Sequence, residues 1–165
     1  MGWYESLLGT ALIRFLGTYL RDHDLGQVLG ADGMLQILPD LVRLPDVAFI
    51  SWKRIPKGRK RRAAAPVLAP DLAVEILSKG NTKREMDRKL EEYFEGGVRL
   101  VWYVDSRRRT AAVFTAVYEK TDGKTYVAST NAGLLGRAFG VVVADVMGGP
   151  VAEVQERFVT AATAK

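Results

Sequence analysis

The sequence contains no cysteine and a single histidine, His23. The lack of cysteine excludes disulfides, thiolate metal ligands and cysteine nucleophiles. A single histidine also argues against a zinc cluster, because zinc sites are built mainly from cysteine and histidine. Thiol chemistry and a structural zinc site are therefore not expected.

Long apolar runs are also lacking, since no segment approaches the roughly 20 apolar residues that span a bilayer. The N-terminus has no basic region, and Arg14 interrupts its apolar stretch in a helical pattern, which does not resemble a signal peptide. We therefore expect a cytoplasmic protein that makes no membrane contact.

The composition fits a single globular domain over residues 1–165. The apolar fraction of 48% and the charged fraction of 26% are ordinary for a soluble protein, so they suggest no particular activity. Lysine and arginine number 24 against 19 acids, which gives a net charge of +5. A basic surface suits a polyanionic partner, and it equally suits a soluble protein with no such partner.

The hydrophobic pattern predicts an amphipathic helix from Trp3 to about Arg21. Thr82 and Glu85 have the spacing of a capping box, which predicts a second helix that ends at Gly96-Gly97. A terminal helix is indicated from about residue 151. Strands are indicated at 27–29, 34–38, 46–51, 71–77, 99–104, 110–118, 124–129 and 141–143.

Turn residues predict how some of these strands connect. The sequence Ala31-Asp32-Gly33 predicts a hairpin between the first two strands, and Thr121-Asp122-Gly123 predicts one between 110–118 and 124–129. The strand at 99–104 is apolar nearly throughout, as expected for a strand covered on both faces. The order of elements predicts an α/β sandwich with a mixed sheet.

Asp46 and Glu75 are acids in consecutive predicted strands. In an antiparallel register that sets Asp46 opposite Glu75, Ala48 falls opposite Ala73, and Asp71 lies farther along the Glu75 face. Opposed like charges repel, and a divalent cation bound by both carboxylates turns that repulsion into attraction. This pattern suggests a Mg²⁺ or Mn²⁺ site, with Asp71 as a secondary candidate.

Each acid also has a structural interpretation. Asp46 and Asp71 both follow a proline, and Pro-Asp is common in turns. Glu75 lies in a strongly apolar strand, so its carboxylate needs a partner to offset desolvation. A salt bridge would provide that partner as well as a metal ion would.

Lys89 borders the apolar face of the second predicted helix, between Met86 and Tyr93. From there its ammonium group could reach a phosphate or an attacking water. Glu85 precedes it by four residues, which is the favourable spacing for a surface ion pair. Both interpretations stay open for Lys89 taken alone.

A cluster of cations crowds the segment between the two acidic strands. Such density suits a nucleic-acid backbone, in a position expected to be next to the acids, and a solvated loop is the alternative. The cations are Lys53, Arg54, Lys57, Arg59, Lys60, Arg61 and Arg62.

Three stretches of the chain are the most specific: LPDVAFIS at 44–51, PDLAVEILS at 70–78 and KLEEYFEGGV at 89–98. In this order they resemble the Uma2 family within the PD-(D/E)XK restriction-endonuclease-like superfamily. The resemblance implies an α/β restriction-endonuclease-like core, in which a mixed sheet is flanked by helices. It also implies that Asp46, Glu75 and the backbone carbonyl of Ile76 bind Mg²⁺ or Mn²⁺, and that Lys89 completes the catalytic set.

The chain departs from the wider pattern in three places. In the superfamily pattern the lysine stands two residues after the acid, and this chain has Leu77 there. Uma2-like proteins have the lysine on the following helix instead, at the position that Lys89 occupies in this chain. The usual short N-terminal β segment is expected to be missing. Glu5 stands about where members often have a histidine, so it is a further metal-side candidate, or an acid that stabilises the first helical turn.

The sequence thus predicts a Mg²⁺-dependent endonuclease acting on nucleic acid, with DNA as the expected substrate and a homodimer as a common arrangement. Two other classes stay open. One is a catalytically silent nucleic-acid-binding module on the same fold. The other is a scaffold or oligomerisation protein.

Overall fold

The structure is a computed structural model, which describes residues 2–55, 64–108, 110–121 and 124–129. The strand predicted at 141–143 and the helix predicted from residue 151 lie outside these ranges. So do five of the clustered cations, Lys57, Arg59, Lys60, Arg61 and Arg62.

The described residues form one helix, then five strands, a second helix and three further strands. The helices are α1 (Trp3–Asp22) and α2 (Lys83–Glu95). The strands are β1 (Gly26–Gly30), β2 (Leu35–Leu38), β3 (Leu41–Arg43), β4 (Val47–Ser51), β5 (Leu72–Leu77), β6 (Leu100–Asp105), β7 (Thr110–Thr121) and β8 (Lys124–Ser129).

Both helices begin and end close to their predicted positions. The Thr82 side chain accepts a hydrogen bond from the Glu85 backbone N–H, so it caps α2 as its spacing indicated. After α2 ends at Glu95, Gly97 adopts a φ of 85°, in the left-handed region that glycine enters at little cost. The chain can therefore turn directly from α2 into β6.

The main sheet has six strands in the order β1-β4-β5-β6-β7-β8. Only β5 and β6 are parallel neighbours in this order, and α2 makes the crossover between them. The predicted pairing of β7 with β8 is confirmed. The sheet is thus mixed, as predicted.

The hairpin predicted between β1 and β2 is wrong. β1 pairs with β4 at the edge of the main sheet, whereas β2 pairs with β3, a short strand that the sequence pattern did not reveal. The reason lies in burial, because Leu35 and Ile37 of β2 belong to the core beneath α2 rather than to the sheet edge. Ala31-Asp32-Gly33 therefore connects two layers of the molecule.

Strand alternation gives the sheet two apolar faces. Val47, Phe49 and Val74 belong to the core packed against α1, whereas Ala48 and Ala73 belong to the core packed against α2. By the same alternation Glu75, next to Val74, faces α2. The one charged side chain placed centrally in β5 therefore points to the helix that carries Lys89.

No helix within the ranges described above combines the length and apolar character needed to cross a membrane.

Candidate active site at the ends of two neighbouring strands

The register of β4 and β5 brings Asp46 and Glu75 to the same level. Val47 pairs with Val74, and Ala48 pairs with Ala73, which is the predicted antiparallel register. Asp46 immediately precedes Val47, and Glu75 immediately follows Val74. The two acids therefore lie opposite each other where the ladder between these strands ends.

Asp46 closes that end of the ladder with its side chain. Its Oδ2 atom accepts a hydrogen bond of 2.7 Å from the backbone N–H of Ile76. No donor from the described residues reaches its other oxygen, Oδ1. One carboxylate oxygen of the half-buried Asp46 is thus committed to the backbone, and the other is available to a ligand.

Glu75 is buried, with 6% of its surface exposed, and both of its carboxylate oxygens are bonded to α2. Oε2 accepts a hydrogen bond of 2.9 Å from Lys89 Nζ, and Oε1 accepts one of 2.5 Å from the Tyr93 hydroxyl. A buried carboxylate is costly unless it is paired and hydrogen-bonded. Lys89 and Tyr93 offset this cost from consecutive turns of the same helix.

Lys89 contacts both of the partners that its sequence position suggested. Its Nζ atom lies 2.9 Å from Glu75 Oε2 and 3.9 Å from Glu85 Oε1. The shorter contact is to the buried acid of the sheet, and the longer one is to the neighbour on the helix. The Lys89 side chain is 21% exposed, so part of it remains in contact with solvent.

Tyr93 is a site residue that the sequence pattern did not reveal. The residue is fully buried, and its position on the apolar stripe of α2 indicated only a role in the core. Burial raises the pKa of the Tyr93 phenol well above its ordinary value, and the negative charge of Glu75 raises the pKa further. The hydroxyl therefore stays protonated and remains a hydrogen-bond donor to Glu75.

Tyr103 makes a second buried hydroxyl contact nearby. Its hydroxyl donates to the Met86 backbone carbonyl at 2.6 Å, which ties β6 to α2. Burial raises the pKa of Tyr103, and the Glu75 charge contributes in the same direction. Because Tyr103 bonds to a carbonyl and not to the carboxylate, it is a matched counterpart to Tyr93.

A family model named Uma2 and described as "Putative restriction endonuclease" matches residues 1–139. The chain belongs to the Uma2 family. A crystal structure described as "a putative nuclease belonging to DUF820 from Anabaena variabilis" is similar, with a TM-score of 0.63 and 18% sequence identity over 77% of this chain and 68% of that one. This likeness confirms the predicted α/β fold class. No curated protein matches the chain.

The oxygen atoms of this Uma2 site fit a hard divalent cation. The N–H and C=O groups of a strand residue point to the same neighbouring strand. The Ile76 N–H donates to Asp46, so the Ile76 carbonyl lies on the same side of β5 as Asp46. Asp46, Glu75 and this carbonyl would provide oxygen ligands only, as Mg²⁺ prefers. The described ranges hold no group of three or more histidine, cysteine, aspartate or glutamate side chains suited to a metal. Such an ion would therefore keep several water ligands.

Asp71 lies at the opposite end of β5 from Glu75. Its Oδ2 accepts a hydrogen bond of 2.7 Å from the Ser51 N–H, and its Oδ1 forms an ion pair of 2.9 Å with Arg54 Nε. At roughly 3.3 Å per residue, the strand separates Asp71 from Glu75 by about 13 Å. The structure thus does not bring this secondary candidate to the acidic pair.

Glu5 uses its carboxylate at the N-terminus of α1. Its Oε2 atom accepts a hydrogen bond of 3.0 Å from the Gly2 N–H, which is the helix-stabilising role that its position allowed. This contact does not involve Asp46 or Glu75.

The expectation that the clustered cations lie next to the acids is wrong for the two described members. Lys53 and Arg54 follow the end of β4 that lies farthest from Asp46, about 17 Å along the strand at roughly 3.4 Å per residue. Arg54 also donates to the carbonyls of Ala69 and Gly97, at 3.1 and 2.9 Å. Its guanidinium group therefore links Asp71, Ala69 and Gly97 at the end of the sheet remote from Glu75.

Proposed function

We propose that this Uma2 protein is a Mg²⁺-dependent endonuclease that hydrolyses phosphodiester bonds in nucleic acid, with DNA as the expected substrate. One observation carries the proposal: Asp46 and Glu75 lie opposite each other at one end of the sheet, and Lys89 contacts Glu75 from the helix above. The family description and the similar solved structure, both of which name a nuclease, support it.

Asp46, Glu75 and the Ile76 carbonyl are the groups that would hold the ion. When bound there, Mg²⁺ supplies a water of lowered pKa and positive charge beside the scissile phosphate. The half-buried position of Asp46 and the burial of Glu75 reduce the access of bulk water to these oxygens.

Lys89 would act on the phosphate or on the attacking water. An ammonium group has three N–H donors, and Lys89 directs one of them to Glu75 Oε2. The remaining donors can bind a non-bridging oxygen and stabilise the negative charge that develops in the transition state. The Glu75 contact sets the position from which Lys89 does so.

Tyr93 would act as a positioning residue through Glu75. Its hydroxyl fixes Oε1 while Lys89 fixes Oε2, so the plane of the Glu75 carboxylate is determined before a metal arrives. Functional groups held in advance lose less conformational freedom on binding a ligand.

The direct test measures Mg²⁺-dependent cleavage of supercoiled plasmid and of single-stranded DNA. We expect Glu75→Gln and Asp46→Asn to lower the cleavage rate at least 100-fold, and the exposed Asp32→Asn to leave it unchanged. Equal rates for wild type and Glu75→Gln would refute the proposal. Calorimetric titration with Mn²⁺ should show binding to wild type and none to Asp46→Ala.

The bonds to both Glu75 oxygens also favour a second candidate, a nucleic-acid-binding module that uses no metal. In that case Lys89 alone neutralises the buried carboxylate, as in a structural salt bridge. DNA binding without any Mn²⁺ heat would favour this second candidate over the enzyme.

A homodimer would present two sites to a duplex, one for each strand. We therefore expect a homodimer during double-strand cleavage, and sedimentation of the protein with a short duplex would measure its stoichiometry.

A further inference from the structure

A cavity of about 770 Å³ lies where the parallel strands β5 and β6 end. Leu77 pairs with Asp105 in the last step of this ladder, so the turns that follow the two strands are neighbours. Ligands of open α/β sheets commonly bind at the carboxyl ends of parallel strands. The lining residues that matter for its charge are Glu5, Lys79 and Arg107.

The cavity opens at the same end of the sheet as the acidic pair. Ser78, which also lines it, follows Glu75 by three residues, about 10 Å at roughly 3.3 Å per residue. Ile76 lies between these two and is bonded to Asp46. Glu75 faces α2, whereas Glu5 at the start of α1 lines the cavity, so a polymer held at the acidic pair would reach the cavity by crossing this end of the sheet.

The two cations of the cavity are exposed, and neither forms an ion pair with an acid in the described part of the chain. Asp105, the nearest acid in sequence to Arg107, accepts the backbone N–H groups of Arg107 and Arg108 and pairs with the Arg108 side chain at 3.8 Å. Within the described ranges, neither the Arg107 guanidinium group nor the Lys79 ammonium group thus has an acidic partner.

One acid also lines the cavity, and its charge opposes an anion there. This acid is Glu5, whose Oε2 is bonded to the Gly2 N–H at the start of α1. Two cations against one partly satisfied acid leave the lining with net positive charge.

We propose that this cavity is a subsite for a backbone phosphate of the nucleic acid, next to the phosphate that is cleaved. Lys79 and Arg107 bind the phosphodiester oxygens, and Arg107 can do so through two parallel N–H groups. The inference rests on the proposed nuclease function and assigns a path to its substrate. That path crosses the ends of β5 and β6, at the opposite end of the sheet from Lys53 and Arg54.

The test measures DNA affinity as a function of salt concentration, by fluorescence anisotropy of a labelled duplex. The buffer contains a chelator of divalent metals so that no cleavage occurs. Each phosphate contact contributes about 0.9 to the slope of log affinity against log salt concentration for a duplex. We expect Lys79→Ala and Arg107→Ala each to reduce the slope by about 0.9, and the double variant by about 1.8. In cleavage assays the double variant should raise KM at least 10-fold with little change in kcat.

Arg21→Ala is the matched control. It removes one exposed positive charge from the C-terminal end of α1, about 27 Å from the start of that helix. We expect the wild-type slope and the wild-type KM for this variant, and thermal melting should show that all variants fold.

The possible outcomes separate the inference from the proposed function. If wild type cleaves DNA with Mg²⁺ and the Lys79→Ala/Arg107→Ala variant keeps the wild-type slope and KM, the subsite is refuted and the nuclease stands. If wild type neither binds nor cleaves DNA, both fall together. An equal loss of slope for Arg21→Ala would show a diffuse charge effect and would also refute the subsite.

Discussion

The Tyr93 hydroxyl donates a hydrogen bond of 2.5 Å to Glu75 Oε1 from a fully buried position on α2. Lys89, one turn earlier on the same helix, bonds to the other oxygen of the same carboxylate. The orientation of Glu75 therefore depends on how α2 packs against the sheet. Changes to α2 should affect the acidic pair even where they leave Glu75 and Asp46 intact.

We predict that Tyr93→Phe weakens metal binding. The substitution keeps the ring and removes only the hydroxyl, so Glu75 Oε1 loses its donor in a buried position. Loss of a partner that orients a metal ligand typically lowers metal affinity by about 10- to 100-fold, and an unsatisfied buried acceptor costs about 1–3 kcal/mol of unfolding free energy. Mn²⁺ calorimetry and urea unfolding measure the two effects.

Tyr103→Phe is the control for this prediction, because it also removes one buried hydroxyl, whose acceptor is the Met86 carbonyl. We expect a comparable loss of stability and an unchanged Mn²⁺ affinity. If the two variants bind Mn²⁺ equally well, Tyr93 has only a packing role.

Stability should fall steeply in alkaline solution. Burial raises the pKa of Tyr93 and of Tyr103 in the folded state, whereas an unfolded tyrosine titrates near pH 10. Below about pH 10 both states keep the proton, so the contribution of these tyrosines is fully present. Above it only the unfolded chain loses the proton, and each tyrosine then lowers the unfolding free energy by about 1.4 kcal/mol per pH unit.

Urea unfolding between pH 8 and 11.5 measures this slope, with absorbance of the phenolate as a second signal. The Tyr93→Phe/Tyr103→Phe variant should show a shallower decline than wild type. A wild-type stability that stays level through pH 11 would contradict the assigned burial of these two hydroxyls.

Lys89 and Lys83 should respond very differently to the same substitution. Lys89→Met leaves the buried Glu75 carboxylate without its charge partner, which we expect to cost about 3 kcal/mol or more and to abolish cleavage. Lys83 pairs with Asp87, but its side chain is 88% exposed, so Lys83→Met should change stability by less than about 0.5 kcal/mol. Urea unfolding and plasmid cleavage compare the pair.

A double variant tests the reason for that cost. In Glu75→Gln/Lys89→Met the buried acceptor is no longer charged, so stability should recover part of what Lys89→Met alone loses. If the double variant instead loses as much unfolding free energy as the two single variants together, Lys89 and Glu75 do not interact in solution.

The parts of the site that the sequence predicted are those that follow from strand alternation. Asp46, Ala48, Ala73 and Glu75 stand at alternate positions of their strands, so a single register places them on one face of the sheet. In the structure α2 covers that face. The role of Tyr93 could not be predicted in this way, because a tyrosine on an apolar stripe has the same spacing whether or not its hydroxyl has a partner.

Two errors have a common physical origin, since local patterns do not specify distant partners. The turn at Ala31-Asp32-Gly33 is real, but turn residues do not determine that β1 pairs with β4. The cations that follow β4 are adjacent in sequence to the acidic strands. They nevertheless start from the wrong end of β4, because antiparallel strands place a connecting loop at only one end of the pair.

Asp71 offers the last prediction, because it has the same chemistry as Asp46 at the other end of the same strand pair. Asp71→Asn keeps an oxygen for the Ser51 N–H and removes the charge opposite Arg54. We expect a loss of about 1–3 kcal/mol in unfolding free energy, since Arg54 is partly exposed and water compensates in part. Because the pair lies about 13 Å along β5 from Glu75, Mn²⁺ affinity and the cleavage rate of the folded variant should equal those of wild type.

Asp46→Asn is the matched comparison, because it should lose both Mn²⁺ affinity and cleavage at a similar or smaller cost in stability. A folded Asp71→Asn protein without cleavage activity would place Asp71 in the catalytic machinery and would contradict the separation of the two ends of the sheet.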